Sequence, residues 1–373
     1  MVEGILVDRG LERMKRNYRK HQWDIKLELK EWPWPYKSAI IFSFDCEGTY
    51  GGGKTIKGET EVVPRIANFL AKNNLKGTFN FVGKIAEEFP EIVKQVYELG
   101  HDVAGHGYSH VFLDGLPESK QREEIEKTIG AIENACGYRI AGWRTPYLTY
   151  DKVTFDILEN LNFKWDSSWS RSLWGKNPFE PILEGKHYKI VEIPVDDVHY
   201  DTGLYRWNSP PEEIKHLWIN HIRVTAKEYS MYVFLNHPVT MAMDIKRVEI
   251  VEDLIKFAKS LRGVWITTCG EIANRFMALK NVDFIANKIL HKKDEIEINI
   301  ILSNKNNFDI ENIQILIKNL SPKAEFLGIS SKNIVIYSNE ESGRKDVGIK
   351  IDLKKNSQQE LHFTVKNHGS DKE

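Results

Sequence analysis

Cysteine is scarce in this chain. Three residues, Cys46, Cys136 and Cys269, occur among 373, and the odd count argues against a disulfide framework and for a reducing, cytoplasmic setting. Long apolar runs are missing too. None reaches the roughly 18 residues that a membrane-spanning helix needs, so no span is expected. Charge of one sign is not in excess: 52 Lys and Arg stand against 53 Asp and Glu, a formal net charge of -1. There is then no global basic field to attract nucleic acid or anionic lipid, and no nucleic-acid partner is expected. Met1 to Lys30 is dense in Arg, Lys and Glu and lacks the apolar stretch of a secretory signal. No internal repeat is present. What remains, 41% hydrophobic and 28% charged residues, is ordinary for a globular protein, and the length suits one large plus one small domain.

Residues 39 to about 275 alternate strand-like apolar runs with amphipathic helical stretches. The expected strands are Ala39–Phe44, Gly77–Val82, Asp102–Ala104, Ile140–Trp143, Phe163–Trp165, Ile190–Val195, Tyr232–Leu235 and Val264–Thr267. Helices are expected over Glu61–Lys72, Glu87–Leu99, Ser119–Ala135, Tyr150–Asn160, Pro211–Tyr229 and Ile245–Ser260, where apolar residues recur every three or four positions. Seven or eight such units imply a parallel sheet closed, or nearly closed, into a barrel. After about residue 285 short strands separated by Asn-, Ser- and Gly-rich turns predict a β-sandwich. The expected division is a charged extension (1–36), a (β/α) barrel (37–280) and a β-sandwich module (285–368).

Polar residues follow several of these strands directly. Asp45 and Glu47 end the first strand; in extended backbone they point to the same side, and Cys46 points away. One carboxylate can then bind a metal while the other takes a proton from water. His106 and His110 are four apart, on one helical face or turn, a spacing that supplies two nitrogens to zinc. With a carboxylate they make a His₂–carboxylate set with open positions. Arg144, two residues before Pro146, suits holding a carboxylate ionised through bidentate bonds, with Asp45 as the expected partner. His237, at a strand end before Pro238, suits protonating a leaving amine. Asp166 either orients His237 or caps the next turn. Trp143, Tyr147, Trp165, Trp169, Trp174 and Trp207 gather around these loops; some are core, others flat faces for a sugar ring. His101, His187, His199, His216 and His221 have no implicating spacing and read as structural or surface residues. The charged face of 118–127 reads as a solvated helix surface.

In this order and spacing the segments resemble the signature of the polysaccharide deacetylases, the NodB-homology or carbohydrate esterase family 4 group, over roughly residues 37–275. Phe44-Asp45-Cys46-Glu47-Gly48 resembles the first motif, His106-x₃-His110 the second and Arg144-x-Pro146 the third. Asp166-Ser-Ser-Trp169 resembles the fourth and Leu235-x-His237 the fifth. The resemblance implies a deformed (β/α)₇ barrel that hydrolyses N-acetyl groups on amino sugars with a bound divalent metal, zinc or a similar ion. It implies Asp45 as base, His106 and His110 as ligands, Arg144 as the residue orienting the base and His237 as acid. Trp143, Pro146, Tyr147 and Trp169 are the expected substrate contacts. Where the family's second Asp stands, this chain has Cys46. The Asp-x-Glu form is similar to a subgroup that includes intracellular peptidoglycan-deacetylase-like and allantoinase-like or cyclic-imidase-like members, and it makes Glu47 the third ligand.

Three readings follow. The first is a metal-dependent deacetylase acting on an N-acetylated sugar, polysaccharide or glycolipid. The second is a hydrolase of a small cyclic amide, imide or allantoin-like ureide on the same fold, with metal dependence left open. The third is a barrel that binds saccharide without cleaving it. The trailing module resembles the Ig-like appendages of carbohydrate-active enzymes, with glycan binding, assembly of a homo-oligomer and packing on the barrel left open as its roles.

Overall fold

The computed structural model describes residues 26–206, 208–292, 295–321, 323–329, 333–339 and 344–366. Most of the expected charged extension, Trp207 and the last two residues of the expected module lie outside the described residues. The chain divides into two compact units. Residues 36–277 form one; the described parts of 1–35 and 278–373 form the other.

The first unit is a curled parallel sheet wrapped by helices, a deformed (β/α)₇ barrel. Its central strand, Ser38–Cys46, is buried at all nine positions, as expected of a parallel strand covered on both faces. Met231–Asn236 pairs along one edge of it. Val264–Thr267 pairs with the first half of the other edge and Thr78–Phe81 with the second. The sheet continues through Asp102–Gly105, Gly142–Trp143, Trp165–Asp166 and Val191–Glu192. Its two outer edges meet where the Asp196 N–H donates to the Val233 carbonyl at 3.3 Å.

Parallel register sets the strand ends in one row: Cys46, Phe81, Gly105, Trp143, Asp166 and Glu192 are successive partners across the sheet. The residue after each therefore emerges at the same end of the barrel, which is how Glu47, His106 and Arg144 come together from positions up to 97 apart in sequence. The helices follow the expected spans with one interruption. Pro90 cannot continue a helix, so Glu87–Leu99 is split into Gly83–Glu88 and Pro90–Glu98, with the proline at the start of the second.

The second unit is a β-sandwich of two four-stranded sheets. In Glu295–Asn304 every second residue is buried, and Ile296, Ile298, Ile300 and Leu302 share a core with Ile313, Ile315, Ile317, Val347, Ile349 and Ile351 of the opposing sheet. Val282–Lys292, Glu325–Leu327 and Lys26–Lys30 are strands that the pattern did not announce. Lys26–Lys30 pairs antiparallel with residues 314–318, so the module takes a strand from the segment read as a charged extension.

Candidate active site

Asp45 and Glu47 lie on one side of their strand end, as alternation requires: Asp45 Oδ2 and Glu47 Oε2 each stand 3.7 Å from His106 Nε2. Cys46 is buried on the other side, where burial pushes its thiol well above the ordinary range. It is no ligand. Glu47 has a glycine pressed against it: a Cβ at Gly51 would fall 2.1 Å from the Glu47 carboxyl carbon, so a larger residue there would displace the Glu47 carboxylate.

The segment from His106 to His110 forms a loop rather than a helical turn. Gly107, at φ +72°, lets it fold against the Pro146 ring. The Tyr108 and Ser109 N–H groups donate to Glu124 Oε2 at 3.0 and 2.8 Å, and Ser109 Oγ donates to Glu124 Oε1 at 2.6 Å. Glu124 therefore belongs to the site's support, although the charged helix carrying it read as solvated surface. Held this way, His110 adopts φ +57°, a strained conformation for a residue with a Cβ. His106 Nδ1 lies 2.9 Å from the Arg144 carbonyl, which fixes the proton on Nδ1 and leaves Nε2 free to ligate.

Glu47, His106 and His110 present one ligand atom each, all within 4.8 Å of one another. His110 Nε2 sits 2.6 Å from Glu47 Oε2 but not in hydrogen-bond alignment, and neither ring nitrogen of this buried histidine has a hydrogen-bond partner. A buried imidazole and a carboxylate aimed at one point without bonding each other are what a common cation requires. The residues present fit a divalent ion.

Arg144 is fully buried. Its Nη1 donates to Asp45 Oδ1 at 2.7 Å and Ser43 Oγ at 2.9 Å, while Nε and Nη2 donate to the carbonyl and Oγ of Ser167 at 2.8 and 2.9 Å. It grips Asp45 through a single charge-assisted bond, not the expected bidentate fork, because the rest of the guanidinium anchors the loop after the next strand. Asn80 Nδ2 makes the second bond to Asp45 Oδ1, at 2.7 Å. Burial alone would raise the Asp45 pKa; Arg144, His106, His237 and Asn80 outweigh it and hold the carboxyl below its ordinary value. Glu47 is held well below its own in the same way, by His237, His106 and His110 against burial.

His237 closes the opposite side, its Nε2 3.8 Å from Glu47 Oε1. Its partner is Asp201, not Asp166: Nδ1 lies 2.6 Å from Asp201 Oδ1, and the His237 N–H donates to Asp201 Oδ2 at 2.7 Å. Burial would lower the imidazole's pKa, but Asp201, Glu47 and Asp45 raise it to about 10. Asp166 faces Glu192, its register partner on the next strand. It accepts from the Ser168 N–H and Oγ at 2.9 and 3.0 Å, and Ser168 Oγ accepts the Thr145 N–H at 2.9 Å. Burial raises the Asp166 and Glu192 carboxyls, with the Asp166 charge adding to the rise at Glu192, and Asp166 props the Arg144–Pro146 loop through Ser168. Asp166 thus turns its own loop and supports the site from behind.

The expected substrate contacts separate. Trp143 and Trp169 are buried core residues. Trp169 stacks on Tyr150 with ring centroids 5.1 Å apart, and Trp143 meets Phe163 edge-on. Pro146 is buried against Gly107. Tyr147 alone is open, its ring 4.6 Å from that of His110 and stacked at 4.0 Å on Phe112, which is also exposed. Phe112, Asn80, Glu124 and Asp201 were not singled out in the sequence. Asn80 carried a signal, a polar residue two after Thr78 on the inward face of its strand; Asp201 carried none.

A family model described as polysaccharide deacetylase matches residues 37–165. A peptidoglycan deacetylase of Helicobacter pylori is 25% identical over 273 residues, 62% of this chain and 91% of that protein. Two crystal structures share the fold. A Mycobacterium smegmatis protein assigned as a polysaccharide deacetylase has a TM-score of 0.59 at 24% identity, over 71% of this chain and 99% of its own. The PuuE allantoinase has a TM-score of 0.58 at 18% identity, over 67% and 94%. That match runs from the first strand through Trp165, and over this stretch the chain is similar to the polysaccharide deacetylases, with the five sequence segments set at one end of a deformed (β/α)₇ barrel.

Proposed function

We propose that this chain is a metal-dependent hydrolase that removes N-acetyl groups from the amino sugars of a glycan. The observation that carries the reading is the placement of Asp45, held by Arg144 and Asn80, and of His237, held by Asp201, on two sides of the Glu47–His106–His110 cluster. A divalent ion held by those three residues, zinc by the match to two imidazoles and a carboxylate, would supply Lewis acidity at the acetyl carbonyl and lower the pKa of water.

The protein's own groups perform the proton transfers. Asp45 Oδ1 is taken by Arg144 and Asn80, which leaves Oδ2 to accept a proton as water attacks the carbonyl carbon. The C–N bond then breaks as His237 Nε2 gives its proton to the departing nitrogen, releasing acetate and a free amine. Asp201 keeps the Nδ1 proton in place, so Nε2 is the nitrogen that cycles. Arg144 and His237 are positioning and acid groups held in place by their partners, and neither needs to move. The stacked Tyr147–Phe112 pair offers a flat apolar face to a pyranose ring beside the ligands.

A second reading, hydrolysis of a small cyclic amide or ureide, is favoured by one observation: of the four expected sugar contacts only Tyr147 presents an open ring. Acetate release from N-acetylglucosamine oligomers, run beside ring opening of a cyclic ureide, separates the two. Asp45→Asn should lower acetate release by about 10²–10⁴-fold, the usual contribution of a general base, while zinc content stays unchanged. Undiminished release in that variant overturns the assignment; release from neither substrate leaves saccharide binding without turnover.

A further inference from the structure

A second group of ligand-type side chains sits in the barrel unit apart from Glu47, His106 and His110. Asp196, His199 and His221 each present one donor atom, all within 4.8 Å of one another. Asp196 follows the Val191–Glu192 strand where the sheet edges meet, His199 lies three residues on, and His221 comes from the helix Pro211–Glu228. Nothing in the catalytic arrangement uses them.

The donor geometry is built rather than incidental. Asp196 is buried, and its Oδ1 accepts the backbone N–H groups of Val198 and His199 at 3.0 and 3.1 Å. That turn aims Oδ2 at His199, whose Nδ1 is 3.7 Å away, too far for a hydrogen bond. The Tyr232 hydroxyl donates to Oδ2 from behind, the kind of outer partner that orients a ligating carboxylate. The His199 and His221 rings lie with centroids 4.8 Å apart at a 40° tilt, and the His221 ring stacks on Tyr232. His221 Nε2 is buried with no hydrogen-bond partner. The His199 side chain is about one-third exposed, which gives an entry path from solvent.

We infer that Asp196, His199 and His221 form a second binding site for a divalent transition ion of the zinc class. Two imidazole nitrogens and one carboxylate oxygen complete three positions of a tetrahedron and leave the fourth to water. The site ties the helix Pro211–Glu228 to the turn that runs from Asp196 into Asp201, the residue that holds His237.

The test is cobalt(II) titration of the metal-free full-length chain, followed by d–d absorbance and by equilibrium dialysis. Wild type should take up two equivalents. His106→Ala/His110→Ala should keep one, with its tetrahedral spectrum, and cobalt should raise the thermal midpoint of that variant. Adding His199→Ala, or separately His221→Gln, should weaken the remaining site at least tenfold and abolish the midpoint shift, with far-ultraviolet circular dichroism unchanged. The double variant binding no cobalt overturns the inference, and so does binding that survives both further substitutions. Neither result bears on the catalytic cluster, which is read separately from the equivalent lost in His106→Ala/His110→Ala.

Discussion

Replacing Arg144 by methionine removes the one guanidinium that neutralises Asp45 in the barrel. Four bonds go: to Asp45 Oδ1, Ser43 Oγ, and the carbonyl and Oγ of Ser167. Two of those losses are mild, since the Ser43 hydroxyl still donates to the Phe234 carbonyl at 2.6 Å and that of Ser167 to the Ile193 carbonyl at 2.7 Å. The Ser167 carbonyl is orphaned, costing about 1–3 kcal/mol. The greater cost falls on Asp45, 2% exposed, left with Asn80 as its hydrogen-bond donor and without the guanidinium charge. Breaking a buried pair from one side costs about 3–5 kcal/mol, so the total for Arg144→Met should be at least about 4 kcal/mol. The double variant Asp45→Asn/Arg144→Met carries no buried charge at this pair and should be more stable than Arg144→Met alone. Urea unfolding in chelator, followed by the fluorescence of the buried Trp143, Trp165, Trp169 and Trp218, reads the barrel directly. A loss under about 1 kcal/mol for Arg144→Met, or a further loss in the double variant, would refute the reasoning.

Asp201→Asn removes the carboxylate that raises His237 to about 10; the alkaline limb of the kcat/KM profile should move down by at least one pH unit, and a profile identical to wild type would exclude His237 as the acid. Burial raises Asp102 to about 7 against an unfolded value of 3.8. The folded state holds the extra proton between those values, so the Asp102 contribution is fully present below pH 3.8 and lost as pH rises to about 7. Asp102→Asn should therefore flatten the fall in urea midpoint between pH 4.5 and 7.5, and an unchanged slope would contradict the burial argument. Tyr147→Ala, which takes away half of the exposed aromatic pair, should raise KM for sugar oligomers about tenfold with kcat within about threefold, consistent with about 1.4 kcal/mol of binding common to ground and transition states.

The barrel was legible because its strands are continuous apolar runs and its helices keep a strict three-to-four spacing; only Pro90 broke a helix that the pattern joined. The Glu47–His106–His110 cluster and the Asp45 and His237 side chains beside it were legible as a group because each residue lies at or just beyond a strand end, and parallel register turns that local position into a shared place in space. What escaped was whatever depends on contacts between distant segments. Asp201 reaches His237 from 36 positions away, and Glu124 turns from a charged helix to hold the His106–His110 loop. Asp166 failed as the partner of His237 because its register neighbour is Glu192, a pairing that strand order dictates and composition does not reveal. Trp143 and Trp169 read as sugar platforms because an aromatic residue near a site looks the same in sequence whether it faces outward or packs beneath the loop. Lys26–Lys30 read as part of a charged extension because a five-residue edge strand carrying lysines has the composition of a solvated tail.

The central claim is that Glu47, His106 and His110 hold an ion that deacetylation requires. Acetate release from N-acetylglucosamine oligomers should be measured on one preparation before chelation, after chelation, and after one equivalent of zinc is returned. Release should be present at first, lost on removal of the ion, and recovered with zinc in wild type but not in His110→Ala. Release that continues undiminished in the chelated, metal-free chain would contradict it.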